Sequence, residues 1–117
     1  MDEKVIARAL RELGIGAHLR GYEYITASVA LVIADRSLAH MITKVVYPTV
    51  AKRYNTKASR VERSIRHAIC SAWDSPDINH RMQSAMFGKI LYSGRTRPTN
   101  GQFIATLADL LVYGEEI

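Results

Sequence analysis

The stretch from Tyr47 to Trp73, YPTVAKRYNTKASRVERSIRHAICSAW, limits the fold of this chain more than any other part of it. Ala58, Val61, Ile65, Ala68, Ile69 and Ala72 recur at the three-and-four spacing of a single helical face. Opposite them fall Ser59, Arg63, Arg66, His67 and Cys70, with Arg60 and Glu62 on the flanks. A strand changes face at every residue, so this pattern has no β reading. Ahead of it, Pro48 suits the first turn of a short helix, where its missing N–H costs nothing. Asn55 suits the stop, because asparagine tolerates the left-handed conformation, and Thr56 is placed to cap the helix that follows. The spacing predicts a short helix over 48–54, a tight turn, and a long helix over 57–73.

The other periodic segments are helical too. Val5, Ile6, Ala9, Leu10 and Leu13 form one apolar face that Gly14 ends, and Gly16–Gly21 is a loop carrying His18 and Arg20. A second helix over Tyr22–Ala34 turns Ile25, Val29, Val32 and Ile33 to the core, and its wide apolar arc marks a central position. A short helix follows around Leu38–Lys44, and another over Ile78–Phe87 closes at Gly88. Lys89–Arg97 is a polar, basic connection. Thr99-Asn100-Gly101-Gln102 has the spacing of a capping box and announces a last helix, with Phe103, Ile104, Leu107, Leu110 and Leu111 inward and Gly114 at its end. The expected fold is all-α, with about six helices in one domain over 1–117.

Composition narrows the class. Hydrophobic residues make up 48% against three prolines and seven glycines, which is globular rather than disordered. Cys70 is the single cysteine, so neither an internal disulfide nor a multi-cysteine metal site is available. The amino terminus starts acidic and lacks the pattern of a secretory signal, and the apolar run Ala27–Ala34 is too short to span a bilayer. A cytoplasmic domain without membrane attachment is expected.

Sixteen Lys and Arg against eleven Asp and Glu give a net charge of +5, which favours a polyanionic partner. The arginines of the long helix are not needed for folding. Their planar forks suit bidentate contact with guanine or a clamp on phosphate, and Glu62 can accept from a cytosine amine. Free N–H groups at the helix start add a phosphate site around Lys57 and Ser59. A solvated basic face is the plain alternative for such a charge run. Short helix, turn and arginine-rich helix together point instead to a helix-turn-helix on double-stranded DNA, although many such motifs have glycine where this turn has Asn55. The second class is a basic helical module that docks an acidic protein partner without reading DNA sequence. RNA binding is disfavoured, since no aromatic sheet surface or glycine-rich loop is present.

No catalytic residue, metal or cofactor is expected. His67 and Cys70 share a helix face but have no third group to orient them, and His40 and His80 lack ligand spacing. His18 is a hydrogen-bonding or secondary phosphate-contacting residue, while Trp73 and Phe87 belong to the core.

KRYNTKASRVERSIRHAICSAW resembles the recognition segment in the effector domains of the stage zero sporulation protein A family, the response regulators of endospore formation in Firmicutes. ELGIGAHLRGYEYITASV, ITKVVYPTVAKRYNT and RPTNGQFIATLADLL are similar to that family's opening, middle and closing motifs, in the same order, from about Ile6 to Leu111. The resemblance implies an all-helical effector domain of a phosphorelay system that binds TGTCGAA-like boxes at sporulation and stationary-phase promoters. In the family a phosphorylated receiver domain precedes it; the expectation here is an effector domain without a receiver in this chain. Carried onto matching positions, it implies base contacts from Arg60, Glu62, Arg63 and Arg66, with Cys70 at the far end of that surface. Backbone contacts fall to His67 on the helix and to Lys44, Tyr47, Arg97, Thr99 and Asn100 beside it. Cys70 stands where a longer polar or acidic side chain is usual, which changes readout of one flanking base pair. DSPDINHRMQSAMFGK keeps only the outline of the region that contacts the RNA polymerase sigma subunit in the family. The apolar stripe of the last helix has a second role open to it, in a homodimer on tandem boxes.

Overall fold

In a computed structural model, which describes residues 2–88 and 97–114, every regular element is helical. The Asp2 carboxylate accepts the Lys4 N–H at 2.9 Å and starts α1, Glu3–Glu12. Ile6, Leu10 and Leu13 are wholly buried, whereas Val5, expected on the same face, is 41% exposed. Neighbouring residues lie about 100° apart around a helix, so Val5 falls off the edge of a stripe centred on Ile6 and Leu10. The stop is a complete Schellman turn. Gly14, at φ 87°, donates to Arg11 O, and Ile15 donates to Leu10 O, both at 3.0 Å.

α2 spans Arg20–Ala34, two residues longer at its start than the spacing predicts, so the expected loop ends at Leu19. It is the central helix and packs against α1, and against α4 and α6 described below. Buried Thr26 and Ser28 donate to Tyr22 O and Tyr24 O, at 2.8 and 2.7 Å, so neither hydroxyl is left unpaired in the core. Ile33, expected inward, is only half-buried.

The single helix expected around Leu38–Lys44 is instead two one-turn elements, a 3-10 turn over Arg36–His40 and a π turn over Ile42–Val46. Met41 separates them with a non-helical backbone, φ −131° and ψ 34°. The π turn runs directly into α3, Tyr47–Arg53, with Pro48 in its first turn as expected. Arg53 grips both Glu3 carboxylate oxygens, at 2.9 and 3.2 Å, and so ties α3 to α1.

α4 covers Ala58–Asp74, shifted by one residue from the predicted 57–73, and ends at extended Ser75 ahead of Pro76. α5, Arg81–Phe87, starts three residues later than expected, after Asn79 Oδ1 accepts the Arg81 N–H at 3.0 Å. α6 covers Asn100–Tyr113 and opens on the predicted capping box: Thr99 Oγ1 accepts the Gln102 N–H, and the Gln102 side chain accepts the Thr99 N–H. Phe103, Ile104 and Leu107 are wholly buried, Leu110 and Leu111 half-buried. Apart from Arg97, the basic connection expected over Lys89–Arg97 lies outside the described residues.

The carboxyl ends of α4 and α5 meet the start of α6 at an aromatic cluster. Phe87 and Phe103 stack at 5.1 Å, and Trp73 stands edge-on to both, at 5.4 and 5.9 Å. Beside it, the buried Gln83 amide donates to Leu13 O and Ala72 O, at 2.9 and 3.2 Å. Those two carbonyls fix the amide's orientation, so its oxygen faces His80 Nδ1 at 2.6 Å, while His80 Nε2 meets Ser75 O at 2.8 Å. Both ring nitrogens therefore face acceptors, and the arrangement is complete when the imidazole carries two protons. These hydrogen bonds, Gln83 first and Ser75 second, push the His80 pKa up. Among the described residues no helix is long and apolar enough to cross a membrane.

Candidate nucleic-acid interface

The turn before α4 is set by Asn55, at φ 53°. Its N–H donates to Lys52 O at 3.3 Å and the Thr56 N–H donates to Ala51 O at 2.8 Å, the same Schellman arrangement that closes α1. Thr56 is part of this stop, and since α4 starts at Ala58 it lies one residue too early to cap α4. Lys57 takes the N-cap position, and no side chain bonds to the first turn. The electropositive end of α4 is left uncapped, next to a lysine.

Seating of α4 depends on Gly21. A Cβ there would stand 2.3 Å from Ser64 O and 2.7 Å from Ala68 Cβ, so α2 and α4 approach backbone to backbone at this point. Val61, Ile65, Ala68, Ile69 and Ala72 are buried, as the periodicity predicts. The opposite face presents Lys57, Ser59, Arg60, Arg63, Arg66 and His67 to solvent, with Glu62 and Cys70 half-buried. Arg66 is paired with Glu62 one turn back. Among the described residues Lys57, Arg60 and Arg63 have no ion pair.

Two depressions flank this helix. One, of about 460 Å³, is bounded by Tyr47, Glu62, Arg66, Cys70, Arg97 and Asn100. Here residues from three separate sequence motifs come together. Arg97 rests on Asp74 at 3.0 Å, an exposed pair of the kind worth about 1 kcal/mol or less. Tyr47 is only 5% exposed, and burial is the main influence raising its hydroxyl pKa, opposed by the hydrogen bond from Asn100. Asn100 Nδ2 donates to Tyr47 Oη at 3.1 Å and to Glu62 O at 3.0 Å. Lys44 is exposed in the π turn and does not line this depression.

The second depression, of about 520 Å³, lies at the start of α4 between Arg20, Tyr24, Thr56, Lys57, Arg60 and Ser64. Arg20, expected in the loop beside His18, is the first residue of α2. The close approach at Gly21, the next residue, carries it to the amino-terminal end of α4. Its pairing with Glu23 is loose, at 3.6 Å, with most of the side chain in solvent. No local pattern in HLRGY announces this neighbourhood.

No group of three or more His, Cys, Asp or Glu side chains is placed to hold a metal ion among the described residues. Charge and shape concentrate on α4: an arginine-rich outward face, an uncapped positive end, and a basic recess on either side. Over residues 6–111 the chain matches the family model described as sporulation initiation factor Spo0A C terminal.

Proposed function

We propose that this chain, which belongs to the Spo0A C-terminal family and is a DNA-binding effector domain of a sporulation regulator, reads TGTCGAA-like boxes by laying α4 in the major groove. The observation that carries this reading is the pair Arg60 and Arg63, exposed on a helix whose inner face is buried and free of ion pairs among the described residues. A guanidinium held by a protein carboxylate must give up that partner before it can grip a base; these two need not. Arg66 has Glu62 as a partner to exchange, a change that costs little at an exposed site. Glu62, once released, is an acceptor for a cytosine amine, and Cys70 meets the edge of the box.

Phosphates on one side of the groove are held by Arg20, Lys57 and Ser59 around the uncapped end of α4, and on the other by His67, Arg97 and Thr99, with Lys44 farther out. The buried Tyr47 supports this second group from behind. Two copies on tandem boxes, and a contact from residues 75–88 to the polymerase sigma subunit, complete the proposed assembly. Val112 and the 73%-exposed Tyr113, at the outer end of α6, offer apolar surface for such a protein contact. The site of action is the cytoplasm, where bacterial promoters are.

Fluorescence anisotropy with a labelled duplex carrying two boxes, run against a scrambled duplex over a salt series, tests the reading. Preference for the boxes that survives moderate salt supports groove readout. Equal and steeply salt-dependent binding to both supports phosphate contact alone. Absence of binding to either favours the module that docks an acidic protein.

A further inference from the structure

Asn100 is the first residue of α6, yet its side chain belongs as much to α3 and α4. Nδ2 reaches the Glu62 backbone oxygen at 3.0 Å and the Tyr47 hydroxyl at 3.1 Å. A carbonyl oxygen only accepts, so it fixes which end of the amide faces inward. With one hydrogen on each partner, the donor capacity of the amide is spent. What remains is Oδ1, an acceptor, which has nothing to offer a phosphate oxygen.

The two partners lie where a small displacement matters. Glu62 O sits within α4, between the turns that carry Arg60, Arg63 and Arg66. Tyr47 opens α3 and is itself buried. The start of α6, in turn, is immobilised by its capping box and by wholly buried Phe103 and Ile104. Burial of the apolar stripe of α4 is non-directional and tolerates slight rotation of the helix. A hydrogen bond from a fixed point to one carbonyl of that helix is directional and opposes such rotation. Base readout demands side chains held to within about 0.5 Å and 10–20°.

We propose that Asn100 is a positioning residue for base readout: through Glu62 O and Tyr47 Oη it fixes the rotation of α4 about its own axis, and its side chain makes no phosphate contact. This rests on the major-groove reading above. The two roles separate experimentally, because a lost phosphate contact lowers the salt dependence of binding while a rotated recognition helix lowers discrimination.

The test uses Asn100→Ala and Tyr47→Phe beside the unaltered chain. Anisotropy is measured on box and scrambled duplexes over a salt series, and the amide spectrum of each free protein is recorded by NMR. For Asn100→Ala the ratio of box to scrambled affinity falls about tenfold, with the salt slope unchanged. Tyr47→Phe removes one of the two acceptors, keeps the buried ring, and lowers the ratio in the same sense by less. Amide shifts of Glu62, Arg63 and Arg66 move in both variants. Equal weakening on both duplexes with a slope shallower by about one unit makes Asn100 a phosphate ligand and overturns the proposal. Unmoved α4 amides in a folded Asn100→Ala protein overturn it as well. If the unaltered chain shows no box preference, the groove reading fails, while the NMR arm still decides whether Asn100 holds α4. Should Asn100→Ala not fold, Tyr47→Phe decides by the same two readouts.

Discussion

Replacing Gly21 with alanine tests whether contact between α2 and α4 is as tight as the geometry states. The added carbon would lie 2.3 Å from Ser64 O and 2.7 Å from Ala68 Cβ, where 3.4–4 Å is ordinary contact. The first obstacle is helix backbone, which cannot swing aside as a flexible side chain does. The helices must part by about 1 Å, and overpacking of this kind costs about 1–3 kcal/mol. Alanine's better helix propensity returns less than about 1 kcal/mol in a first turn, so the substitution remains destabilising. For a domain of this size the melting temperature falls by about 4 °C per kcal/mol. Gly101 supplies the control, since it lies in the first turn of α6 with nothing within 4 Å of its would-be Cβ. Gly101→Ala is neutral or gains up to about 1 kcal/mol. Urea and thermal unfolding of both variants give the comparison. A Gly21→Ala protein as stable as Gly101→Ala would refute the close approach and with it the account of how α4 is seated.

Arg63→Ala lowers affinity for the box by about 1–3 kcal/mol and relaxes preference at one base pair; equal loss on scrambled DNA would reduce Arg63 to a phosphate clamp. Arg20→Ala weakens box and scrambled duplexes alike and makes the salt slope shallower by about one unit, and an unchanged slope would remove Arg20 from the interface. His80 gives a pH dependence of definite sign. Its pKa is raised in the folded chain above the ordinary 6.5, so its stabilisation is full below that value and is lost as pH rises through the raised one. The urea midpoint of the unaltered chain, compared with His80→Ala, shows a gap at pH 5.5 that narrows by pH 8.5; a constant gap would mean the ring does not act as a double donor.

Features decided within a few residues were legible in the sequence. The capping box at Thr99 and Gln102 closes on itself, and Asn55 takes the left-handed conformation its position invites. Thr56 shows how such reading fails. Threonine is a good cap by type, but α4 starts at Ala58, one residue later than expected, so the N-cap position fell to Lys57 and Thr56 lies one residue too early to cap. The helix expected around Leu38–Lys44 broke because Met41 left helical geometry, which apolar spacing does not register. For the candidate site, the outward face of α4 follows from periodicity alone. The two hydrogen bonds of Asn100 reach residues 53 and 38 positions away, and Arg20 reaches α4 only because Gly21 lets two helices touch. Pairings of that range depend on how the helices pack, and no local pattern encodes them.

The aromatic cluster at the far end of α4 gives the molecule an optical gauge of its own. Trp73 is the sole indole in the chain, and it stands on the last full turn of the helix that bears the arginines. Its ring is boxed by Phe87 of α5 and Phe103 of α6, so its emission senses whether those three helices remain docked. Arg66, the nearest of those arginines, is seven residues or about two turns away, and Arg97, proposed above to hold phosphate, rests on the adjoining Asp74. A spectral change upon complex formation would therefore report, in the unlabelled protein, whether Arg97 leaves Asp74 for a phosphate at this end of α4.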